Sequence, residues 1–252
     1  MNRTKTYFLS DAHLGAPYIK DPKTHEKRIV DFLDSIKDSA KEIYLLGDIF
    51  DFWYEYKHVI PKGFVRFQGK IAELADSGIS IHLFGGNHDM WMFTYFQEEL
   101  GITLHHKPTI VKIDGKTFFL AHGEDLGIDD WAFKMMLKLF RAPWFRWCFS
   151  TFIHPNLAMS FAKGWSVKSR FRNGEKEGLK YLGEEKEHLV KFAKGYKGEE
   201  HIDYFIFGHR HIVLDLMIKK DSRVIILGDW ISQYSYAEVE NGQLQLSENS
   251  EK

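Results

Sequence analysis

Ile79-Ser80-Ile81-His82-Leu83-Phe84-Gly85-Gly86-Asn87-His88-Asp89 is the stretch on which the reading of this chain turns. A short, mostly apolar run suits a buried strand; two glycines then stop it, and polar side chains follow at once. The same grammar recurs along the chain: 6–9 before Ser10-Asp11-Ala12-His13, 43–46 before Gly47-Asp48, and 117–121 before His122-Gly123. It returns at 204–207 before Gly208-His209-Arg210-His211 and at 224–227 before Gly228-Asp229-Trp230. Helical periodicity fills the intervals near 24–40, 63–77, 90–100 and 184–194. Strands alternating with helices predict an α/β core, and in such cores sites form in the crevice at the carboxyl ends of the strands.

The residues placed there are metal-ligand types: Asp11, His13, Asp48, Asn87, His122, His209 and His211. Mixed carboxylate, imidazole and amide oxygen suit a first-row divalent ion rather than magnesium. In a strand, Asp11 and His13 at i and i+2 would share one side, as would His209 and His211. Seven ligands exceed one four-coordinate site and suit two ions with a bridging carboxylate. Such a pair stabilises both the attacking and the leaving oxygen of a phosphoryl transfer. Metal-assisted hydrolysis of a phosphate ester or anhydride is the chemistry expected. Taken singly, a histidine after a strand is more often a core residue, and Gly-Asp is a common turn; it is the repetition that carries the reading.

Composition excludes several classes. The 252 residues carry 34 Lys plus Arg against 35 Asp plus Glu, a net charge of −1, which argues against sequence-blind nucleic-acid binding. The single cysteine, Cys148, excludes a disulfide framework and a four-cysteine zinc site and fits a reducing compartment. Neither a signal-peptide pattern nor a run of about 20 apolar residues is present, so the expected location is cytoplasmic.

Asp11-x-His13, Gly47-Asp48, Gly86-Asn87-His88-Asp89, His122-Gly123 and Gly208-His209-x-His211 together resemble the signature of the calcineurin-like metallophosphoesterases. The resemblance implies a four-layer αββα sandwich spanning residues 1–252 as one domain, with the di-metal site at the strand ends. It assigns Asp11, His13 and His211 to one ion, Asn87, His122 and His209 to the other, and Asp48 to both. It also puts His88 beside the scissile phosphate as a catalytic residue, with Asp51 as the carboxylate orienting it. Two divalent ions are the implied cofactors, manganese in the active form, with iron or zinc also compatible with the donor set.

The stretch 131–172 breaks the strand–helix alternation. It holds no Asp or Glu but eight positive charges (Lys134, Lys138, Arg141, Arg146, Lys163, Lys168, Arg170 and Arg172) and a crowd of aromatics including Trp131, Trp144, Trp147 and Trp165. Pro143 and Pro155 divide it into expected helices at 130–141, 144–153 and 156–168, an inserted cap of about 128–180. Packing of the cap explains any one aromatic but not the missing acids. Aromatics with cations also suit single-stranded nucleic acid, which keeps a nuclease alternative open. The residues after Leu246 are expected to fray.

Three segments resemble a narrower family, the UDP-2,3-diacylglucosamine pyrophosphatases of lipid A biosynthesis: Gly47-Asp48-Ile49-Phe50-Asp51-Phe52-Trp53, Gly228-Asp229-Trp230, and the cap. In the cap, Asp129-Asp130, Phe140-Arg141-x-Pro143-Trp144 and Ser169-Arg170-x-x-Asn173-x-x-Lys176 follow that family's order and spacing. The resemblance implies hydrolysis of UDP-2,3-diacylglucosamine to UMP and 2,3-diacylglucosamine 1-phosphate. The acyl chains would lie in the cap, and Asn87, His88, Asp130, Ser169, Asn173, Lys176 and His209 would contact the substrate. It further implies peripheral attachment to the cytoplasmic face of the inner membrane. One position departs: the better-known branch has arginine after the asparagine, where this chain has His88. The alternatives are a phosphodiesterase or phosphatase acting on a soluble nucleotide and a metal-holding scaffold without activity.

Overall fold

Strand Lys5–Leu9 (β1) shows how the layers arise. Tyr7 and Leu9 enter one apolar core while Phe8 enters another, as the two-residue period of a strand dictates. The computed structural model describes residues 3–128, 130–172, 180–219 and 221–249, with the side chains at 163, 165 and 167–172 outside that description.

In the first sheet β1 pairs in parallel with Ala40–Leu45 (β2), β2 with Ser80–Phe84 (β3), and β3 with Thr103–His105 (β4). The second sheet is built around Thr109–Ile113 (β5), Lys116–Ala121 (β6), Tyr204–Phe207 (β7), Val213–Lys219 (β8) and Ser222–Leu227 (β9), in the order β5-β6-β7-β9-β8. The chain then returns to the first sheet through Ser235–Glu240 (β10) and Gln243–Glu248 (β11), giving β11-β10-β1-β2-β3-β4. Residues beyond 246, expected to fray, instead extend β11 because Ser247 and Glu248 pair with Tyr236 and Ser235.

Helices Pro22–Ile36 (α1), Val65–Asp76 (α2) and the short Tyr95–Leu100 (α3) cover the first sheet, burying Phe32, Leu33, Phe67, Ile71 and Phe96 against it. Phe8, Tyr44, Leu46 and Phe84 of the first sheet meet Phe118, Leu120, Ile206 and Leu227 of the second in a core between the sheets. On the far side of the second sheet, Leu189, Val190 and Ala193 pack against Phe119, Phe205, Phe207 and Ile226. The first three of these residues come from the helix between the cap region and β7. The layers therefore run helix, sheet, sheet, helix, the four-layer αββα arrangement expected of the sequence.

Three further helices stand between β6 and β7: Trp131–Arg141 (α4), Pro143–Phe152 (α5) and Pro155–Arg172 (α6); His188–Gly195 (α7) is the helix on the second sheet. Proline opens α5 and α6, where its missing N–H costs nothing. Each presents an apolar stripe at helical spacing: Phe133, Met136, Leu137 and Phe140 from α4; Phe145, Cys148, Phe149 and Phe152 from α5; Leu157, Ala158, Phe161 and Ala162 from α6. The three stripes converge on one cleft of about 960 Å³. Polar ties seat these helices on the first sheet's loops. Trp91 Nε1 donates to the Phe140 carbonyl at 2.9 Å, and the Tyr54 hydroxyl donates to the Arg146 carbonyl at 2.7 Å.

One expectation about charge changes. Arg141 is not uncompensated: its guanidinium pairs with Asp125 at 2.7 Å and with the buried Glu124. Both acids lie just upstream of the acid-free stretch, where a count confined to that stretch misses them.

Candidate metal centre

Each ligand-type residue sits past a strand end, not on a strand. Asp11, His13, Asp48, His209 and His211 all have left-handed backbones, with φ of 54°, 45°, 51°, 67° and 50°. The same-side strand geometry expected of Asp11 with His13, and of His209 with His211, is therefore not the arrangement present. β1 ends at Leu9 and β7 at Phe207, and the chain curls so that loop side chains turn inward. A non-glycine residue held this way costs on the order of 1–3 kcal/mol and persists only where its surroundings fix it. Here they do. Asp11 N donates to the Gly47 carbonyl at 3.1 Å, His13 N to the Asp48 carbonyl at 2.9 Å, and Leu14 N to the Ile49 carbonyl at 2.9 Å.

Glycine precedes several of these residues because nothing larger fits. A β-carbon on Gly86 would lie 2.2 Å from Asp48 Oδ1, and one on Gly208 would lie 1.9 Å from Ser10 Oγ. The close approach of these loops brings together residues distant in sequence.

Three imidazoles present Nε2 to the carboxylates of Asp11 and Asp48. His211 Nε2 is 3.2 Å and His13 Nε2 3.8 Å from Asp11 Oδ1. Asp48 Oδ2 lies 3.7 Å from His13 Nε2 and 3.3 Å from His122 Nε2, so it faces both halves of the cluster. The other ring nitrogen of each imidazole is engaged: His122 Nδ1 donates to the Leu46 carbonyl at 2.8 Å, His211 Nδ1 to Asp229 at 3.1 Å, and His13 Nδ1 to Asp51 at 3.3 Å. Fixing the proton on Nδ1 leaves the Nε2 lone pair for a cation.

The residues fit divalent ions. Asp11 Oδ1, Asn87 Oδ1 and His122 Nε2 are buried without a hydrogen-bond partner, and an orphaned donor set of this kind is costly unless a ligand completes it. Asp11, His13 and His211 have ligand atoms within 4.8 Å of one another, as do Asp48, His122 and His209. Atoms sharing an ion at about 2.1 Å each lie roughly 3–4 Å apart. Burial opposes charge on Asp48, yet the imidazoles of His122 and His88 outweigh it and hold its carboxyl well below the usual range. Against burial, Asp48 in turn raises His122 well above the ordinary imidazole value, so a cation taking its Nε2 displaces a proton. Burial, then the neighbouring His122, holds His209 well below the ordinary imidazole value, which suits a neutral nitrogen donor.

His88 and Asp51 meet, but not as expected. His88 Nδ1 lies 2.9 Å from the backbone carbonyl of Asp51, while the Asp51 carboxylate is 3.7 Å away and turns to His13. Asp130 caps α4, accepting from Phe133 N at 3.0 Å, and is exposed. The Ser169 side chain, Asn173 and Lys176 lie outside the described residues.

Two acids were quoted within motifs without a role. Asp89, wholly buried, accepts from the backbone N–H of Asp48, Ile49, Phe50 and Gly86, clamping two ligand-bearing loops together. Burial and the nearby Asp48 push its carboxyl up to about 7. Asp229 accepts from Ile231, Ser232 and Gln233 N–H and holds His211. Its signal was in view, since Gly228-Asp229 follows a strand as Gly47-Asp48 does.

The αββα fold thus gathers paired His/Asp groups at its strand ends, where they could hold divalent ions. No family model matches the chain. A UDP-2,3-diacylglucosamine hydrolase of Porphyromonas gingivalis is 43% identical over 247 residues, covering 93% of this chain and 94% of that one. A hydrolase of the same name from Histophilus somni is 25% identical over 248 residues, covering 96% and 99%. Among solved structures, a dimetal phosphatase from Danio rerio superposes with a TM-score of 0.46 at 11% identity, covering 97% of this chain and 95% of that chain. This chain belongs to the UDP-2,3-diacylglucosamine hydrolase family.

Proposed function

We propose that this protein hydrolyses the pyrophosphate bond of UDP-2,3-diacylglucosamine, giving UMP and 2,3-diacylglucosamine 1-phosphate: water adds at one phosphorus and the other phosphate leaves. One observation carries the reading. The cleft walled by the apolar stripes of α4, α5 and α6 is floored by Asp51, Asn87 and His88, so a lipid slot and a metal pocket share a boundary. A substrate spanning both must join acyl chains to a phosphate.

Asp11, His13 and His211 would hold one divalent ion, Asn87, His122 and His209 the second, with Asp48 between them. Such ions, manganese in our reading, supply Lewis acidity at phosphoryl oxygens. Asp229, Asp51 and the Leu46 carbonyl keep the ligand imidazoles in the donor tautomer. His88, tied through Nδ1 to the Asp51 carbonyl, keeps Nε2 free at the cleft floor to donate to a phosphoryl oxygen when protonated. A phosphate leaving group needs little protonation, so charge stabilisation is the role we give it.

We also place the protein on the cytoplasmic leaflet as a peripheral protein. Among the described residues no helix is long and apolar enough to cross a membrane. Trp131, Trp144, Trp147 and Phe152 are all more than 60% exposed beside the exposed Lys134 and Lys138. That surface suits an anionic bilayer, where each nearby cation contributes about 1 kcal/mol.

The test compares UDP-2,3-diacylglucosamine with its deacylated counterpart. The diacylated substrate should have a kcat/KM higher by at least about tenfold, the effect of burying two methylenes at about 0.8 kcal/mol each. Equal values would overturn the lipid reading in favour of a soluble nucleotide substrate.

A further inference from the structure

The Asp51 carboxylate serves two partners through one oxygen. Its Oδ1 lies 3.3 Å from His13 Nδ1 and accepts the Ser166 hydroxyl at 2.9 Å. Ser166 belongs to α6, whose apolar stripe walls the cleft, and it is 3% exposed; Asp51 is 5% exposed. A third candidate stands near the same oxygen, since His88 Nδ1 is 3.7 Å away. The Asp51 backbone is fixed, its N–H donating to the Leu14 carbonyl at 3.0 Å, so what remains free is the rotation of the carboxylate.

We propose that Ser166 is a positioning residue: its hydroxyl keeps the Asp51 carboxylate turned to His13, so the seating of α6 over the cleft sets how firmly His13 grips a divalent cation. The inference rests on reading Asp11, His13 and His211 as an ion-binding group. A ligand imidazole binds better when its other N–H is given to a carboxylate. At this depth, losing the hydroxyl removes a partner that bulk water does not readily replace. The carboxylate is then released toward His88, and His13 loses both orientation and basicity. The sequence gives no hint of the link, because 115 residues separate its two ends.

The experiment titrates Mn²⁺ into chelator-stripped protein by calorimetry, for wild type, Ser166→Ala, Ser166→Thr, Asp51→Asn and the Ser166→Ala/Asp51→Asn double variant. Ser166→Ala should weaken one of two sites by roughly three- to tenfold, less than the 10–100-fold typical of a direct outer partner. Ser166→Thr, which keeps the hydroxyl, should restore affinity to within about twofold; the metal-free midpoint of Ser166→Ala should fall by a few degrees, so Mn²⁺ affinity is the readout that decides. A merely structural serine would move the midpoint and leave Mn²⁺ affinity alone. Asp51→Asn should weaken the same site, with Ser166→Ala adding nothing further, since both act through one oxygen. Unchanged affinity in Ser166→Ala, or additive losses, overturns the proposal while leaving the metal reading intact. Wild-type protein that binds no Mn²⁺ overturns both. Should Ser166→Ala fail to fold, the Thr and Asn variants decide: Thr near wild type with Asn weakened supports the link, and Asn at wild-type affinity overturns it.

Discussion

In the metal pocket, Asp11, His13, Asp48 and His122 are each at most 2% exposed, and the outer nitrogens and oxygens are tied to named partners. Across the shared boundary the cleft is walled by residues such as Leu157 and Phe161, which are 65% and 66% exposed. The first region spends backbone strain and buried charge to hold a few atoms in place. The second supplies area from aliphatic and aromatic side chains, with polar ties only where its helices meet the loops beneath. The difference follows from what each must recognise: phosphoryl chemistry needs fixed positions, whereas acyl chains need only apolar surface.

The comparison breaks first at Asp48. Asp48→Asn retains Oδ1, which accepts His88 N–H at 2.9 Å, but removes the charge facing both His13 and His122. Turnover of bis-p-nitrophenyl phosphate with Mn²⁺ should fall by more than about 100-fold, beyond the loss expected for an outer partner. The thermal midpoint of the metal-free protein should fall modestly, because removing the Asp48 charge leaves the buried imidazoles of His122 and His13 without the carboxylate they face. Wild-type turnover in this variant would show that Asp48 does not join the two halves of the pocket.

The cleft sharpens the contrast with an effect of the opposite kind. Leu157→Asp puts a charge into an exposed part of the apolar wall without opening the core. KM for a diacylated UDP-glucosamine should rise about tenfold, since an apolar slot tolerates a carboxylate poorly, while bis-p-nitrophenyl phosphate, which has no chains to seat, should be hydrolysed as before. Parallel losses on both substrates would mean that the two regions are not separable.

The same division decided what could be read from the chain. Six strands were legible, and seven metal-ligand candidates could be marked, because one local pattern recurs: an apolar run that stops at polar ligand-type residues, with glycine at 47, 86 and 208 but not before Asp11 or His122. The edge strands β4, β5, β8 and β11, and β10 beside β11, were not, because their half-exposed residues alternate with polar ones and lack a glycine-bounded apolar run. The left-handed backbones of Asp11 and His209 escaped for a different reason: their conformation is imposed by loops remote in sequence. So did the tie from Arg141 to Glu124 and Asp125, a contact visible only once α4 is seated.

A smaller effect separates both regions from the scaffold they share. Inside the pocket the titrating groups shift one another, so an acid-dependent stability signal from one residue must be sought elsewhere. His105, on the edge strand β4, supplies one: its Nε2 meets His82 Nδ1 at 3.1 Å. Burial, then the neighbouring His82 and His106, pulls its pKa down to about 4. The unfolded chain takes up that proton near pH 6.5, at about the ordinary imidazole value, whereas the folded chain resists until about 4. The contribution is therefore complete above about pH 6.5 and is lost as pH falls from there toward 4. His105→Gln removes it, so between pH 7 and pH 5 wild type should lose more unfolding free energy in urea than the variant. The difference should be about 1 kcal/mol or less, because half-buried groups are screened by solvent. Identical pH slopes would return the acid sensitivity to the carboxylates and imidazoles of the metal pocket, where Mn²⁺ should then suppress it.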